Sequence, residues 1–180
     1  MIASPETLPR MRPEEYLEYE CNQSIRHELV DGYLYAMTGA SDRHEEIALN
    51  LAAALRMHLR DTPCRVYKGD LKIRIADDFY YADVFVRCEA HRRDPYFKTD
   101  PVLIAEVLSP STQRYDRGDK RLAYQSLPTL REYILIAQDH MAVEVYRSEQ
   151  PNIAEKLDQP DEILRLASVD FAIELRELYA

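Results

Sequence analysis

The sequence predicts a mixed α/β domain built on one central sheet, and three observations support this class. Helix and strand patterns alternate along the 180 residues. The apolar runs 79–86 and 101–108 are typical of strands buried inside a sheet, since water-facing strands alternate apolar with polar residues. The length fits one domain with one substantial core. We therefore expect residues 1–180 to form a single domain, with its core in 13–150 and with 151–180 packing a last strand and a short helix against that core.

The first sixty residues carry signals for a helix, a hairpin and a second helix. Pro13 favours the first turn of a helix. The pair Asp31-Gly32 between apolar residues predicts a tight β-hairpin. Ser41 or Asp42 can cap the second helix. The apolar stripe of this helix has a spacing of four and consists of Ile47, Leu51, Leu55 and Leu59.

Strands dominate the remainder of the chain. Apolar residues alternate with Lys72 and Arg74, which predicts a strand with one water-facing side. Asp116 can cap a helix that runs to about Ser126. The other predicted strands are the run 79–86 after a turn at Asp77-Asp78, the run 101–108, and two strands within 132–137 and 141–146.

Composition and charge limit the functional class. The chain is 46% hydrophobic and 31% charged, which is typical of a soluble folded protein, and no apolar segment is long enough to span a membrane. A net charge of −9 excludes a protein that coats nucleic acid by general electrostatics. Residues 1–7 lack a secretory signal. Cys21, Cys64 and Cys88 show no metal-ligand spacing, so we expect reduced thiols and a cytoplasmic protein.

Two acids interrupt the apolar runs: Asp83 in the first and Glu106 in the second. An ionised carboxylate without a partner in such a place costs several kcal/mol or gives up its charge. If the two strands are neighbours, the oxygens converge and can hold Mg²⁺ or Mn²⁺. Such a cation stabilises charge on a phosphoryl group under in-line attack. The alternative for either acid is an ion pair with an arginine.

Lys120 is a third candidate. If Asp116 caps the helix, then Asp116, Lys120 and Tyr124 share one helix face at a spacing of four. Taken alone, this local pattern favours a solvated surface lysine paired with Asp116 over a catalytic one.

Three segments resemble a known family: PVLIAEVLSPSTQRYDRGDKRLAYQSLPTLREYILI at 101–136, YYADVFV at 80–86 and HELVDGYLYAM at 27–37. They are similar to the Uma-two family of predicted endonucleases, within the restriction endonuclease-like superfamily that is named for its PD-(D/E)XK motif. The resemblance extends from about Pro13 to Tyr179. It implies a restriction endonuclease-like fold, in which helices flank a mixed central β-sheet that carries the metal acids on adjacent strands.

Carried over residue by residue, the resemblance makes Asp83 the Asp of the motif and Glu106 its second acid. Ala82 replaces the proline of the motif, which contributes no ligand. Leu108 stands where the motif has lysine, and in this family the lysine comes from the following helix, here Lys120.

Further positions also match the family. Glu28 matches an acid, on or just after the first helix, that reaches a metal through water. His44 matches a position near the start of the second helix, where it can contact substrate, cap the helix or lie at the edge of the core. The basic residues Arg114, Arg117 and Arg121 are placed to meet a DNA backbone.

Three functional hypotheses follow. The first is a metal-dependent endonuclease that hydrolyses DNA phosphodiester bonds, acting as a homodimer because one site per chain must cut two strands. The second is a catalytically silent module that keeps the nuclease fold for nucleic-acid binding or regulation. The third is a structural domain whose buried acids pair with Arg74 or Arg87.

Overall fold

The structure is a computed structural model and describes residues 10–89 and 94–180. The expectation about a secretory signal concerns residues 1–7, which lie outside the described residues. Within the described part of the chain, no helix has the length and apolar character that a membrane span requires.

A mixed six-stranded sheet forms the centre of the molecule. Its strand order is β11-β10-β9-β8-β6-β3, and β8 and β9 pair in parallel whereas the other neighbours are antiparallel. All side chains of β8 and β9 are buried, as expected for strands covered on both faces. The strands are β3 (Arg65–Lys68), β6 (Val84–Arg87), β8 (Leu103–Leu108), β9 (Glu132–Ala137), β10 (Val143–Arg147) and β11 (Gln150–Leu157).

A second sheet of five strands packs beside the first, in the order β2-β1-β5-β4-β7. The predicted hairpin is its first part, and both Asp31 (φ 52°) and Gly32 (φ 80°) have the left-handed backbone that a tight turn requires. The strands are β1 (His27–Val30), β2 (Tyr33–Ala36), β4 (Lys72–Ile75), β5 (Asp78–Tyr81) and β7 (Phe97–Lys98).

Helices cover both faces of the six-stranded sheet. On one face α2 (Asp42–His58) buries the predicted stripe against β6 and β8, and Ser41 caps it by accepting a hydrogen bond from the His44 N–H. On the other face lie α3 (Gln113–Arg117) and α4 (Asp119–Gln125), while α1 (Pro13–Glu20) packs on the hairpin. The predicted fold class, a mixed α/β domain with a central sheet flanked by helices, is confirmed in this architecture.

The strands do not all belong to one sheet, and the division falls at Asp83. The run 79–86 was expected to form one strand, but it contains β5 of the five-stranded sheet and β6 of the six-stranded sheet. Asp83 lies in the bend between them, and its side chain is 24% exposed. A run apolar throughout is equally suited to one long strand or to two short strands buried in different sheets.

Three local predictions are wrong. Asp116 does not cap the helix, because it lies inside α3 and is buried, and the chain breaks at Gly118 before α4 begins. Lys72 is buried rather than water-facing, and its ammonium lies over the Tyr81 ring, 5.5 Å from the ring centre. Cys64 and Cys88 are joined by a disulfide, which contradicts the expectation of reduced thiols, whereas Cys21 is free and exposed.

The C-terminal region is larger than the predicted strand and helix. Residues after 150 add β11 to the edge of the six-stranded sheet and form a separate hairpin of β12 (Ile163–Leu166) and β13 (Phe171–Glu174). A 3₁₀ turn (Ala167–Val169) and α5 (Leu175–Leu178) complete the chain, and α5 packs against α2.

Candidate active site

Lys120 is the centre of a buried polar cluster between the two sheets. Its Nζ lies 3.0 Å from Glu106 Oε1 and 3.0 Å from Glu28 Oε1, and it donates a hydrogen bond to the Tyr81 carbonyl at 3.0 Å. The Lys120 side chain is 8% exposed. The alternative of a solvated surface lysine is therefore wrong, and the cluster joins α4, β8, β1 and β5.

The position of each acid follows from its strand. Along β8, Ala105 and Val107 face α2, so Glu106 points to the opposite face, towards α4. There Glu106 Oε1 accepts a hydrogen bond from the Tyr124 hydroxyl at 3.0 Å. Glu28 on β1 accepts a hydrogen bond from the Tyr81 N–H at 3.0 Å, which fixes it beside the end of β5.

Asp83 lies next to Glu106, held by two reciprocal contacts between the bend and β8. The Asp83 N–H donates to Glu106 Oε2 at 3.2 Å, and Asp83 Oδ2 accepts from the Val107 N–H at 2.7 Å. The prediction that these two acids come together is thus confirmed, since β6 and β8 are antiparallel neighbours.

His44 approaches Asp83 from the first turn of α2. Its Nε2 is 3.1 Å from Asp83 Oδ2, while its buried Nδ1 has no hydrogen-bond partner among the described residues. Burial lowers the pKa of His44, but the hydrogen bond and negative charge of Asp83 outweigh this and raise the pKa above its usual range. His44 therefore joins the acidic cluster, and it is the Ser41 hydroxyl, not His44, that caps the helix.

Negative charge is in excess around Lys120. Burial raises the pKa of Glu106 well above its usual range, and the neighbouring Asp83 adds to this although Lys120 opposes it. Burial similarly raises the pKa of Asp116. Burial alone would lower the pKa of Lys120, yet Glu106 and Glu28 raise it well above its usual value. The cluster thus keeps its lysine charged and has more carboxylates than cations.

The cluster opens into a cleft of about 240 Å³. Asp83, Glu106, Asp116, Lys120 and His44 all line it. A smaller adjoining cavity of about 80 Å³ extends along the hairpin to Glu28. The loop after β2 (37–40) and the loop after β8 (109–112) contribute the cleft walls. A substrate group that enters the cleft therefore reaches the acids and the lysine together.

The donor atoms of Asp83 and Glu106 suit a hard divalent cation. Within residues 10–89 and 94–180, no three His, Cys, Asp or Glu side chains form a complete protein-built metal site. Mg²⁺ does not require one, because it is usually held by one or two carboxylates and keeps several waters. Asp83 Oδ1 takes no hydrogen bond from the described residues. The carboxylate excess would be relieved by a bound cation, so this pair fits Mg²⁺ or Mn²⁺.

The three predicted DNA-contacting arginines do not line the cleft. Arg117 is bonded to Glu144 at 2.9 Å, and Arg121 donates to the Pro151 carbonyl at 2.9 Å while it stacks over Tyr146. Arg114 is exposed on α3. These residues extend along the outer side of α3 and α4, beyond the acid cluster.

Two groups in the cluster were not predicted from the sequence. Asp116 was interpreted as a helix cap, but it lines the cleft together with Lys120. The signal was the glycine between them: Gly118 has a non-helical backbone (φ −107°, ψ −109°) where α3 ends and α4 begins, and a Cβ there would lie 3.0 Å from the Arg114 carbonyl. The backbone carbonyl of Tyr81 is the second, and no sequence pattern identifies such a group.

Comparisons with known proteins show what the chain is similar to. The sequence profile of the Uma2 family, described as "Putative restriction endonuclease", matches residues 13–176. Two relatives from Synechocystis sp. are described as uncharacterized proteins. One is 40% identical over 141 residues, which cover 77% of this chain and 74% of the relative. The other is 33% identical over 142 residues, which cover 74% of this chain and 78% of the relative.

One solved structure shares the architecture of nearly the whole chain. It is a crystal structure from Anabaena variabilis, described as "a putative nuclease belonging to DUF820", and it superposes with a TM-score of 0.79. The alignment covers 94% of this chain and 97% of that chain, at 19% sequence identity. At this level of identity the likeness establishes the mixed α/β fold and not the chemistry.

Proposed function

Because the chain belongs to the Uma2 family, we propose that it is a metal-dependent endonuclease that hydrolyses DNA phosphodiester bonds with Mg²⁺ or Mn²⁺. The observation that carries this proposal is the contact of Lys120 with both Glu106 and Glu28, directly beside Asp83, in an open cleft. Paired carboxylates next to a lysine suit phosphoryl chemistry, in which positioning and charge stabilisation supply most of the rate.

In this proposal Asp83 and Glu106 hold the cation, which when bound would stabilise negative charge on the phosphoryl group under attack. Tyr124 and Lys120 fix the Glu106 carboxylate through Oε1, and the Asp83 N–H fixes it through Oε2. His44 orients Asp83 through Oδ2. Glu28 contacts the same Lys120 ammonium as Glu106 and assists catalysis from the smaller adjoining cavity.

Lys120 has a specific restriction. An ammonium group has three donors, and Glu106, Glu28 and the Tyr81 carbonyl occupy all of them. Lys120 can therefore touch a phosphate or an attacking water only if one of these contacts is exchanged. In this proposal Glu106 stays with the cation, so we infer that release of Glu28, which lines the smaller adjoining cavity, frees the donor.

DNA would approach along the cleft and the outer side of α3, where Arg114 can meet a phosphate. Arg117 is already bonded to Glu144 and Arg121 to the Pro151 carbonyl. They could therefore contact phosphates only through N–H donors that these bonds leave free. Cleavage of both strands of a duplex would require a second site, so the proposal includes a homodimer.

The test is cleavage of supercoiled plasmid by the purified chain with Mg²⁺ or Mn²⁺. We expect nicking or linearisation by the parent and none by Glu106→Gln. Glu132→Gln is the matched control, since Glu132 is a buried acid on the neighbouring strand β9 and lies outside the cleft, and it should cut normally. The proposal fails if the parent cuts neither duplex nor single-stranded DNA with either cation, or if Glu106→Gln cuts at the parental rate.

The complete engagement of the Lys120 donors also favours a second candidate, a catalytically silent module that binds nucleic acid or a regulator. A silent module would bind DNA in a gel-shift assay without any cation-dependent cleavage. In that case Glu106→Gln would leave DNA binding unchanged, whereas cleavage that depends on Glu106 would exclude this candidate.

A further inference from the structure

The outer face of α2 carries large apolar side chains that nothing in the described chain covers. One side of this helix is buried against the six-stranded sheet through Ile47, Leu51 and Leu55. On the opposite side Leu49 is 58% exposed and Met57 is 75% exposed. Residues four apart on a helix lie one above the other, so these two side chains and the exposed Ala53 between them form one continuous stripe.

This face is symmetric about Ala53. Three positions before Ala53 on this face have a complementary position at the same sequence distance after it. The pairs are Leu49 with Met57, Asn50 with Arg56, and Glu46 with Arg60, the last of which lies in the turn that follows α2. Acidic and basic residues therefore occupy opposite ends of the stripe, with apolar residues inside them and the smallest side chain at the centre.

We propose that this face joins two copies of the chain into an antiparallel, two-fold symmetric dimer. A two-fold axis through Ala53 brings the two members of each of these three pairs opposite each other across the dimer, as an isologous interface requires. Leu49 then packs on Met57 twice, Glu46 meets Arg60 twice, and the facing alanines let the two helices approach closely. A parallel arrangement would place Glu46 against Glu46 and Arg60 against Arg60, so the charges select the antiparallel one.

The helix dipole explains part of this pattern but not all of it. Acids in the first turn and bases in the last turn stabilise any helix. The dipole gives no reason for two large exposed apolar side chains equally spaced around a small one. The area that one helix face can bury is at the low end of the range for specific interfaces. We therefore expect a reversible dimer with a dissociation constant of roughly 1–100 μM.

Sedimentation of the 180-residue chain over a range of concentrations tests the surface. We expect the parent to shift from monomer to dimer as concentration rises. Ala53→Arg should raise the dissociation constant at least about tenfold, because two guanidinium groups would meet at the axis. Leu122→Ser is the matched control, since Leu122 is a 56% exposed leucine on α4, and it should leave the constant unchanged.

Charge exchange tests the antiparallel pairing itself. Glu46→Arg or Arg60→Glu alone should weaken the dimer about three- to tenfold, and the double exchange should restore it. The restoration separates pairing across the dimer from the loss of the Glu46 contact with Arg43 in the same chain, which lies at 3.4 Å. A dimer that both single variants leave unchanged would contradict the proposal, as would a parent that stays monomeric throughout.

Cross-linking gives an independent measure. In a Cys21→Ser background, Ala53→Cys places one thiol at the symmetry axis, and mild oxidation should yield a covalent dimer. Leu122→Cys in the same background should cross-link far less. Equal cross-linking of the two variants would overturn the assignment of this face. None of these measurements depends on cleavage, so the dimer and the proposed nuclease activity can fail separately.

Discussion

Two buried ionic sites lie at opposite ends of β6, and they differ in charge balance. At one end Arg87 and Asp100 form a bidentate pair, with Nη2–Oδ2 at 2.6 Å and Nε–Oδ1 at 2.9 Å. At the other end Lys120 is shared by Glu106 and Glu28, with Asp83 alongside. A balanced pair away from the cleft is sufficiently explained by structure. An acidic excess that opens to solvent can be relieved by a bound cation, and this difference supports placing the proposed site at this end of β6.

The same comparison removes one of the original hypotheses. A purely structural domain was expected to neutralise its buried acids with Arg74 or Arg87. Arg87 instead pairs with Asp100, and Arg74 lies beside Asp77 and donates to the Ala76 carbonyl. Neither arginine reaches Asp83 or Glu106, so that version of the structural hypothesis is wrong.

The largest effect should come from breaking the balanced pair. Asp100→Asn leaves the Arg87 guanidinium buried without its full countercharge, and such a loss typically lowers the free energy of unfolding by about 3–5 kcal/mol. Urea titration would measure it. Glu174→Gln is the control, because it removes a mostly exposed ion pair with Arg176 and should cost less than about 1 kcal/mol. If both variants lost the same free energy of unfolding, burial of the Arg87–Asp100 pair would have no effect on stability.

A second prediction concerns the lysine of the unbalanced site. Lys120→Ala should lower the cleavage rate by about 10²-fold or more, and Lys120→Arg should restore only part of it, since the planar guanidinium directs its donors differently. The alanine variant should also lose stability, because Glu28 and Glu106 lose their shared cation. Lys98→Met, a buried lysine outside the cleft, is the control for activity. Parental cleavage by Lys120→Ala would remove Lys120 from the mechanism.

A third prediction uses the raised pKa of Glu106. Between the usual carboxyl range and this raised pKa, the folded chain keeps a proton that the unfolded chain releases, so the contribution of Glu106 to stability falls as pH rises. Glu106→Gln removes that dependence. The melting temperature of the variant minus that of the parent should therefore become more positive from about pH 4.5 to pH 7.

The same substitution should abolish cation binding, which calorimetry can follow. Binding by the parent should weaken as pH falls, because protons compete with the cation for Glu106. A melting difference independent of pH would show that Glu106 is fully ionised in the folded chain. Unchanged cation affinity in Glu106→Gln would move the metal site elsewhere.

The elements of the fold were largely predictable because each has a local signal. The hairpin turn at Asp31-Gly32, the stripe of α2 and the buried strand around Glu106 all follow from patterns of adjacent residues. The division into two sheets was not predictable in this way. Continuous apolarity from 79 to 86 shows that the segment is buried, but not which sheet covers it.

The candidate site was likewise predictable only in part. Asp83 and Glu106 were found because a carboxylate in an apolar run is conspicuous, and Lys120 and Glu28 required the family resemblance. Asp116 was misassigned, since acids near helix starts are usually caps and the bend at Gly118 was missed. The disulfide between Cys64 and Cys88 depends on β3 pairing with β6, which sequence spacing does not reveal.

The smallest expected effect is a change in the salt dependence of DNA binding, and it should differ between arginines with and without an ion-pair partner in the folded chain. Arg114 is exposed and takes part in no ion pair with the described residues, so a phosphate contact would break no existing ion pair. Arg114→Ala should reduce the salt dependence of DNA binding by about one unit of slope. Arg117 is bound to Glu144, which already neutralises its charge, so Arg117→Ala should change the slope by clearly less. Fluorescence anisotropy with labelled duplex DNA at several salt concentrations measures both slopes.

If Arg117→Ala has the larger effect, DNA displaces Glu144 and its path crosses α3 and β10. If neither variant changes the slope, the DNA backbone is held elsewhere, and the next positions to test are Arg26, which lines the cleft, and Lys68, which contacts the cleft residue Glu45.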